Sequence, residues 1–247
     1  MIRAMIFDLD GTLVQTERLK ALSYGLAVLD LCPDEITEAM VIDAFTDVVG
    51  LSRRDVATSL VERFGLEDAA EAHMAEFGVN TPWQALVQLR LRYYSEMMSD
   101  PAVLRNYQWP HNVALLQQAR DTGCKTGLAT MSACAETRAI VEALDLVEAF
   151  DFVATRDDVD CGKPDPEIYD LVSRELDVPP AECLVIEDSP SGVKAALAAQ
   201  MWCIVVTTPM TRKTIHTQQL LDERWVVDEP AKLTAVAAQM LKERKGD

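Results

Sequence analysis

Met5-Ile6-Phe7-Asp8-Leu9-Asp10-Gly11-Thr12 opens as an apolar run that stops at an aspartate, and a glycine soon breaks it. A run that short, ended by a turn former, reads as a buried strand leading into a loop. Working outward, the chain divides by pattern. From about Thr16 to Ser99 it is helical in character, as in Glu17 to Leu31, Arg53 to Phe64 and Trp83 to Met98. Asp100-Pro101 and Trp109-Pro110 punctuate it, and beyond them strand and helix alternate. Lys125 to Thr130, Phe152 to Ala154, Cys183 to Glu187 and Cys203 to Val206 read as strands. Ala135 to Leu144, Pro166 to Leu176, Pro190 to Ala199 and Ala231 to Arg244 read as helices. Such alternation predicts an α/β fold, a doubly wound, Rossmann-like parallel sheet with both faces covered. The helical block is then an insertion. Residues 16–99 form an α-helical cap domain, and residues 1–15 with 100–247 form the core.

Composition sets the outer bounds. The chain has 247 residues, 49% of them hydrophobic and 26% charged, which excludes a disordered, collagen-like or disulfide-built protein. Lys and Arg total 23 against 40 Asp and Glu, a net charge of -17. A field of that sign repels nucleic acid, which is not an expected partner. It repels small anions too, so a phosphorylated ligand needs a local positive group or a metal ion. No apolar stretch reaches the roughly 18 residues of a membrane span, so no membrane partner is expected. The leading MIRAMIFDLD is too short and too soon acidic for a signal peptide, and the expected location is cytoplasmic. Cys32, Cys124, Cys134, Cys161, Cys183 and Cys203 form no CxxC pair. They read as reduced, mostly buried thiols, without zinc.

Ligands of doubly wound sheets bind outside the carboxyl ends of the strands. Asp8, Asp10, Gly11 and Thr12 follow the first strand; Thr130 ends the second, with Ser132 just beyond. Gly162-Lys163-Pro164 precedes a helix, and Glu187, Asp188 and Ser189 close the strand at Cys183 to Glu187. Carboxylates gathered at one edge repel one another unless a hard cation sits among them, and Mg²⁺ suits oxygen ligands. An ionised Asp8 can attack phosphorus without losing a proton first. Asp10 can give a proton to the leaving oxygen and later take one from water. Gly11 permits the tight turn that brings both into one space. Thr130 can bond a phosphoryl oxygen, and Lys163 can neutralise its charge. Asp188 would hold the metal from the opposite side, supported by Glu187.

These segments resemble the four motifs of the haloacid dehalogenase-like superfamily: IFDLDGTL at Ile6–Leu13, LATMS at Leu128–Ser132, GKPDPEIY at Gly162–Tyr169 and VIEDSPSGVKAA at Val185–Ala196. The resemblance covers nearly the whole chain, including a cap inserted after the first motif. It is closest to the group of β-phosphoglucomutase and small phosphosugar phosphatases. It implies Asp8 as nucleophile and Asp10 as general acid/base. It implies Mg²⁺ on Asp8, the Asp10 backbone carbonyl and Asp188, and the phosphoryl group on Thr130 and Lys163. The dehalogenase branch, which attacks carbon without a metal, has no need of Asp10, and the phosphonatase branch usually lacks a carboxylate there.

In the cap, Gly50-Leu51-Ser52-Arg53 resembles a substrate-specificity loop whose arginine grips a distal phosphate. Arg90 lies where that group often has a second basic residue, and Lys20 where the mutases have a histidine. Each is read either as a substrate contact or as a helix residue whose charged end lies in solvent. Tyr93 and Tyr94 read as cap core, and His73, His111 and His216 match no catalytic position. The expected protein is a Mg²⁺-dependent phosphohydrolase of a small phosphorylated metabolite, a sugar phosphate, working as a monomer or weak dimer. Two other readings stay open, a β-phosphoglucomutase-like mutase and a non-enzymatic module carrying an aspartyl phosphate.

Overall fold

The computed structural model describes residues 1–32, 36–48 and 51–243. Its centre is strand β1 (Ala4–Phe7), every residue of which is buried. β2 (Lys125–Ala129) pairs with it on one side and β4 (Cys183–Glu187) on the other, both parallel. β3 (Phe152–Ala154) lies outside β2, while β5 (Trp202–Val206) and β6 (Val226–Val227) lie beyond β4, giving the order 3-2-1-4-5-6. The winding direction reverses between β1 and β4, where doubly wound sheets open a crevice for ligands.

The strands are short, mostly apolar runs because both faces are covered, and the polar side chains they do bury, Thr126 and Glu187, are hydrogen-bonded. Ile6, Val185 and Val205 pack with Tyr169 and Val172 of the helix Glu167–Glu175 and Val193 of the helix Pro190–Ala198. Each such aliphatic side chain contributes about 1.5–3 kcal/mol on burial. A side chain at Gly127 would run into Val172, so that helix lies close on β2. The loop after β1 is fixed by backbone pairing. Trp109 N–H donates to Leu13 O and Gln15 N–H to Tyr107 O, each at 2.8 Å, and Asn112 Nδ2 donates to Thr12 O at 2.6 Å.

β3 and β4 carry the bounds read from the sequence, and β2 ends one residue early, which puts Thr130 in the loop. Three core elements escaped that reading. The helix Pro110–Asp121 begins at a proline read as punctuation; a proline in the first turn starts a helix rather than ending one. The helix Arg212–Gln218 carries one buried residue, Ile215, and β6 has only two residues, too few to show a period. The closing helix is Leu233–Glu243 after a 3₁₀ turn at Pro230–Lys232, and Arg244 lies outside the described residues.

The chain divides into two compact units, one of residues 1–15 with 104–247 and one of residues 16–103. The second unit runs past Asp100 because Pro101 opens another helix at once, Pro101–Asn106. That unit is all helical, chiefly Thr16–Leu31, Glu38–Val48, Arg53–Phe64 and Pro82–Ser99, around Leu19, Val28, Val41, Leu60, Leu86 and Leu89. Local chemistry bounds Arg53–Phe64. Ser52 Oγ accepts from Asp55 N–H at 3.2 Å, and Gly65, at φ 61°, ends the helix in the left-handed conformation. No helix among the described residues is long and apolar enough to cross a membrane.

The cysteines correct an expectation. Cys183 and Cys203 are buried, Cys32 and Cys124 are half-buried, and Cys134 and Cys161 are exposed. The exposed pair lies where the chain leaves the sheet, at a helix start and in a loop, and such segments run over the surface.

Candidate active site

The site grows from the carboxyl ends of β1, β2 and β4. Asp8 follows β1 directly, its N–H donating to Ile186 O of β4 at 3.0 Å. The chain then turns at Gly11, whose φ of 86° favours glycine and whose N–H donates to Val14 O at 2.7 Å. A Cβ on Gly11 would collide with the Asp188 carboxylate, so glycine serves twice: it allows the turn and the close approach of the loop to Asp188.

Lys163 ties the parts together. Its side chain is 5% exposed, and Nζ donates to Asp8 Oδ1 at 2.6 Å, Glu187 Oε1 at 2.7 Å and Ala129 O at 3.0 Å. The Tyr169 ring centroid lies 4.9 Å from that ammonium. Glu187, fully buried, accepts on both oxygens. Oε1 takes the Tyr169 hydroxyl at 2.8 Å besides Lys163; Oε2 takes Asp188 N–H at 2.9 Å and the Ser189 N–H and hydroxyl at 3.0 Å. Asp10 turns towards β2, its Oδ2 accepting Ser132 Oγ at 2.7 Å and Thr130 Oγ1 at 3.2 Å.

Charge and burial act against each other here. Burial pushes the Asp8 carboxyl up to about 8; Lys163 opposes the rise, and the charges of Glu187 and Asp10 add to it. Burial also pushes Glu187 up, but the charge and hydrogen bond of Lys163, with donors from Ser189 and Tyr169, hold it below the usual carboxylate range. Burial disfavours the Lys163 ammonium, and Asp8 with Glu187 outweigh that and raise it above an ordinary lysine.

Carboxylate oxygens of Asp8, Glu187 and Asp188, all buried, lie within 4.8 Å of one another. Three carboxylates against one ammonium leave excess negative charge, and the potential ligand atoms are all oxygens, which fits a hard divalent cation. Both Glu187 oxygens already accept from protein donors, so its part is to hold the others in place. The Asp10 carboxylate is not one of this group. Asp8, Asp10, Thr130, Lys163, Glu187 and Asp188, proposed from the sequence, thus come together at one sheet edge. Two contributors had been given no role. Ser132 was seen beyond the strand and Tyr169 within a motif, but which groups their hydroxyls meet is set by other loops.

Residues 2–200 match the family model of haloacid dehalogenase-like hydrolases. The chain belongs to that family.

Among the relatives of this hydrolase, a phosphorylated carbohydrates phosphatase of Thermotoga maritima is 31% identical over 80% of this chain and 82% of that protein. A phosphoglycolate phosphatase of Shigella boydii is 30% identical over 80% of this chain and 78% of the relative. The fold is shared with a crystal structure of β-phosphoglucomutase from Clostridium difficile, at a TM-score of 0.61 and 22% identity, covering 97% of this chain and 96% of that one.

Lys20, Arg53 and Arg90, the substrate contacts expected from the sequence, lie in the unit of residues 16–103. Arg53 is exposed at the first position of its helix, and Gly50, before it, lies outside the described residues. Lys20 is 34% exposed, with Nζ 3.3 Å from Glu17 Oε1. Arg90 is not the solvated helix residue that was one of its two readings. It is 6% exposed, its guanidinium 4.4 Å from the Tyr94 ring centroid and 5.4 Å from that of Tyr24. Tyr93 and Tyr94 are half-buried. His73 pairs with Glu76 and His216 with Asp228.

Proposed function

We propose that this enzyme is a Mg²⁺-dependent phosphatase of a small phosphorylated metabolite, a sugar phosphate, working through an aspartyl phosphate on Asp8. The observation that carries the reading is the Asp8 carboxylate held by Lys163 at 2.6 Å in a buried acidic pocket, with a second carboxylate, Asp10, poised on the same loop. The named phosphatase relatives support the reaction class, and the carbohydrate phosphatase supports the sugar.

An oxygen of Asp8 attacks phosphorus; the new O–P bond forms as the bond from phosphorus to the sugar oxygen breaks. Asp10 gives its proton to that departing oxygen. Water then attacks the aspartyl phosphate, Asp10 takes its proton, and the Asp8–phosphorus bond breaks to release inorganic phosphate. Lys163 and the Thr130 hydroxyl hold the phosphoryl oxygens throughout. Asp8, Asp188 and the Asp10 carbonyl would hold Mg²⁺, whose positive charge would let an anion approach these carboxylates.

A panel of phosphorylated sugars with Mg²⁺, read by phosphate release, identifies the substrate. The Asp8→Asn variant, nearly isosteric, should lose all but background turnover. Retention of more than about a tenth of the rate, a loss of only ~1.4 kcal/mol, excludes Asp8 as nucleophile. The mutase reading is tested with β-glucose 1-phosphate, Mg²⁺ and a trace of the bisphosphate. Inorganic phosphate should accumulate, because Lys20 offers only donors where a mutase has a titrating histidine. Dominant glucose 6-phosphate selects the mutase instead.

A further inference from the structure

Both hydroxyls that reach Asp10 fall on the same oxygen. Oδ2 accepts from Ser132 at 2.7 Å and from Thr130 at 3.2 Å. Ser132 N–H donates to Thr130 Oγ1 at 3.0 Å, which turns the Thr130 hydroxyl proton away from that N–H and towards Asp10. A hydroxyl has one proton to donate. Two bonds on one oxygen fix the rotation of the carboxyl group about its Cβ–Cγ bond.

We infer that Ser132 is a positioning residue, whose hydroxyl fixes the orientation of the Asp10 carboxyl and so aligns it with the leaving-group oxygen. This rests on the phosphatase reading, in which Asp10 transfers a proton in both steps. Ser132 rather than Thr130 carries the role for two reasons. Its bond is the shorter, and Thr130's single proton is required by the phosphoryl oxygen once substrate arrives. Thr130 then leaves Asp10, and Ser132 remains on Oδ2. The local fold leaves Ser132 available. The helix Cys134–Ala143 has Ala133 at its N-cap with no side-chain bond, so the serine beside it does no capping. Its carbonyl accepts from Arg156 N–H at 3.2 Å, which anchors the backbone behind the hydroxyl.

The test compares Ser132→Ala and Ser132→Thr with the wild-type enzyme on two substrates, glucose 6-phosphate and p-nitrophenyl phosphate. The first has an alkoxide leaving group that needs a proton; nitrophenolate departs without one. First-turnover rates isolate the step in which the leaving group departs. Ser132→Ala should lose about tenfold more on the alkyl phosphate than on the aryl phosphate, with KM within about threefold. Ser132→Thr, which restores the hydroxyl, should recover most of the loss, and matching melting temperatures keep folding out of the comparison. Equal losses on both substrates, an effect confined to KM, or no recovery in Ser132→Thr overturns the inference while leaving the phosphatase reading intact. Should glucose 6-phosphate be a poor substrate, the best sugar phosphate of the panel takes its place, and a wild-type enzyme that releases phosphate from no member of the panel and not from p-nitrophenyl phosphate overturns both.

Discussion

Glu187 shows how one residue can organise a site without reacting. It accepts Lys163 and Tyr169 on one oxygen and Asp188 and Ser189 on the other, and each of these groups is a donor. Glu187→Gln must therefore turn an amide NH₂ against donors while removing the charge that balances Lys163. The expected cost is about 3–5 kcal/mol, that of breaking a buried, hydrogen-bonded ion pair. Urea unfolding measures it, and a loss below about 1 kcal/mol rejects the account. Activity should fall as well, because Lys163 loses one of the two carboxylates that aim it. Lys163 itself illustrates the limit of local reading. In Gly162-Lys163-Pro164 nothing distinguishes a surface lysine from a buried one, and only the carboxylates arriving from β1 and β4 settle the matter.

At the scale of elements, the helix Pro190–Ala198 does more than cover the sheet. Its first turn closes on the Glu187 side chain, with Ser189 as N-cap accepting from Gly192 N–H at 3.0 Å. A Cβ on Gly192 would overlap the Glu187 carboxylate, so glycine is required there by space alone. Gly192→Ala should cost about 1–3 kcal/mol through overpacking and lower kcat by displacing Glu187 and Lys163 together. A melting curve and a rate measured on the same preparation check both, and an alanine variant that keeps wild-type stability and rate refutes the packing. The neighbouring elements show which features are legible. β4 and β3 stand out as short apolar runs between turn formers. β6 does not, because two valines have no period and their role comes from lying beside β5. The helix Pro110–Asp121 was hidden because its starting proline looks the same as one that ends a segment.

For the whole molecule, the net charge of -17 and the buried acidic pocket make the proposed cation the first thing to test. Mg²⁺ that binds the folded chain alone should raise the melting temperature. The gain is about 2.7 kcal/mol at a hundred times its Kd. Asp188→Asn should abolish that rise, and chelation should abolish turnover. A melting temperature indifferent to Mg²⁺ counts against the metal assignment whatever the activity. Motif order along the chain already pointed to a doubly wound parallel sheet and to Asp8, Asp10, Thr130, Lys163, Glu187 and Asp188 as neighbours at its carboxyl edge. It could do so because strand ends in a doubly wound sheet must converge, and a residue's place after its strand is a local property. Tertiary structure alone decided that Arg90 is buried against Tyr24 and Tyr94, that Glu187 braces the pocket with both oxygens, and that Ser132 and Tyr169 belong to it. Arg90–Tyr24, Glu187 with Lys163 and Tyr169, and Ser132 with Asp10 join residues distant in sequence, and no spacing along a single segment encodes a contact whose partner arrives on another element.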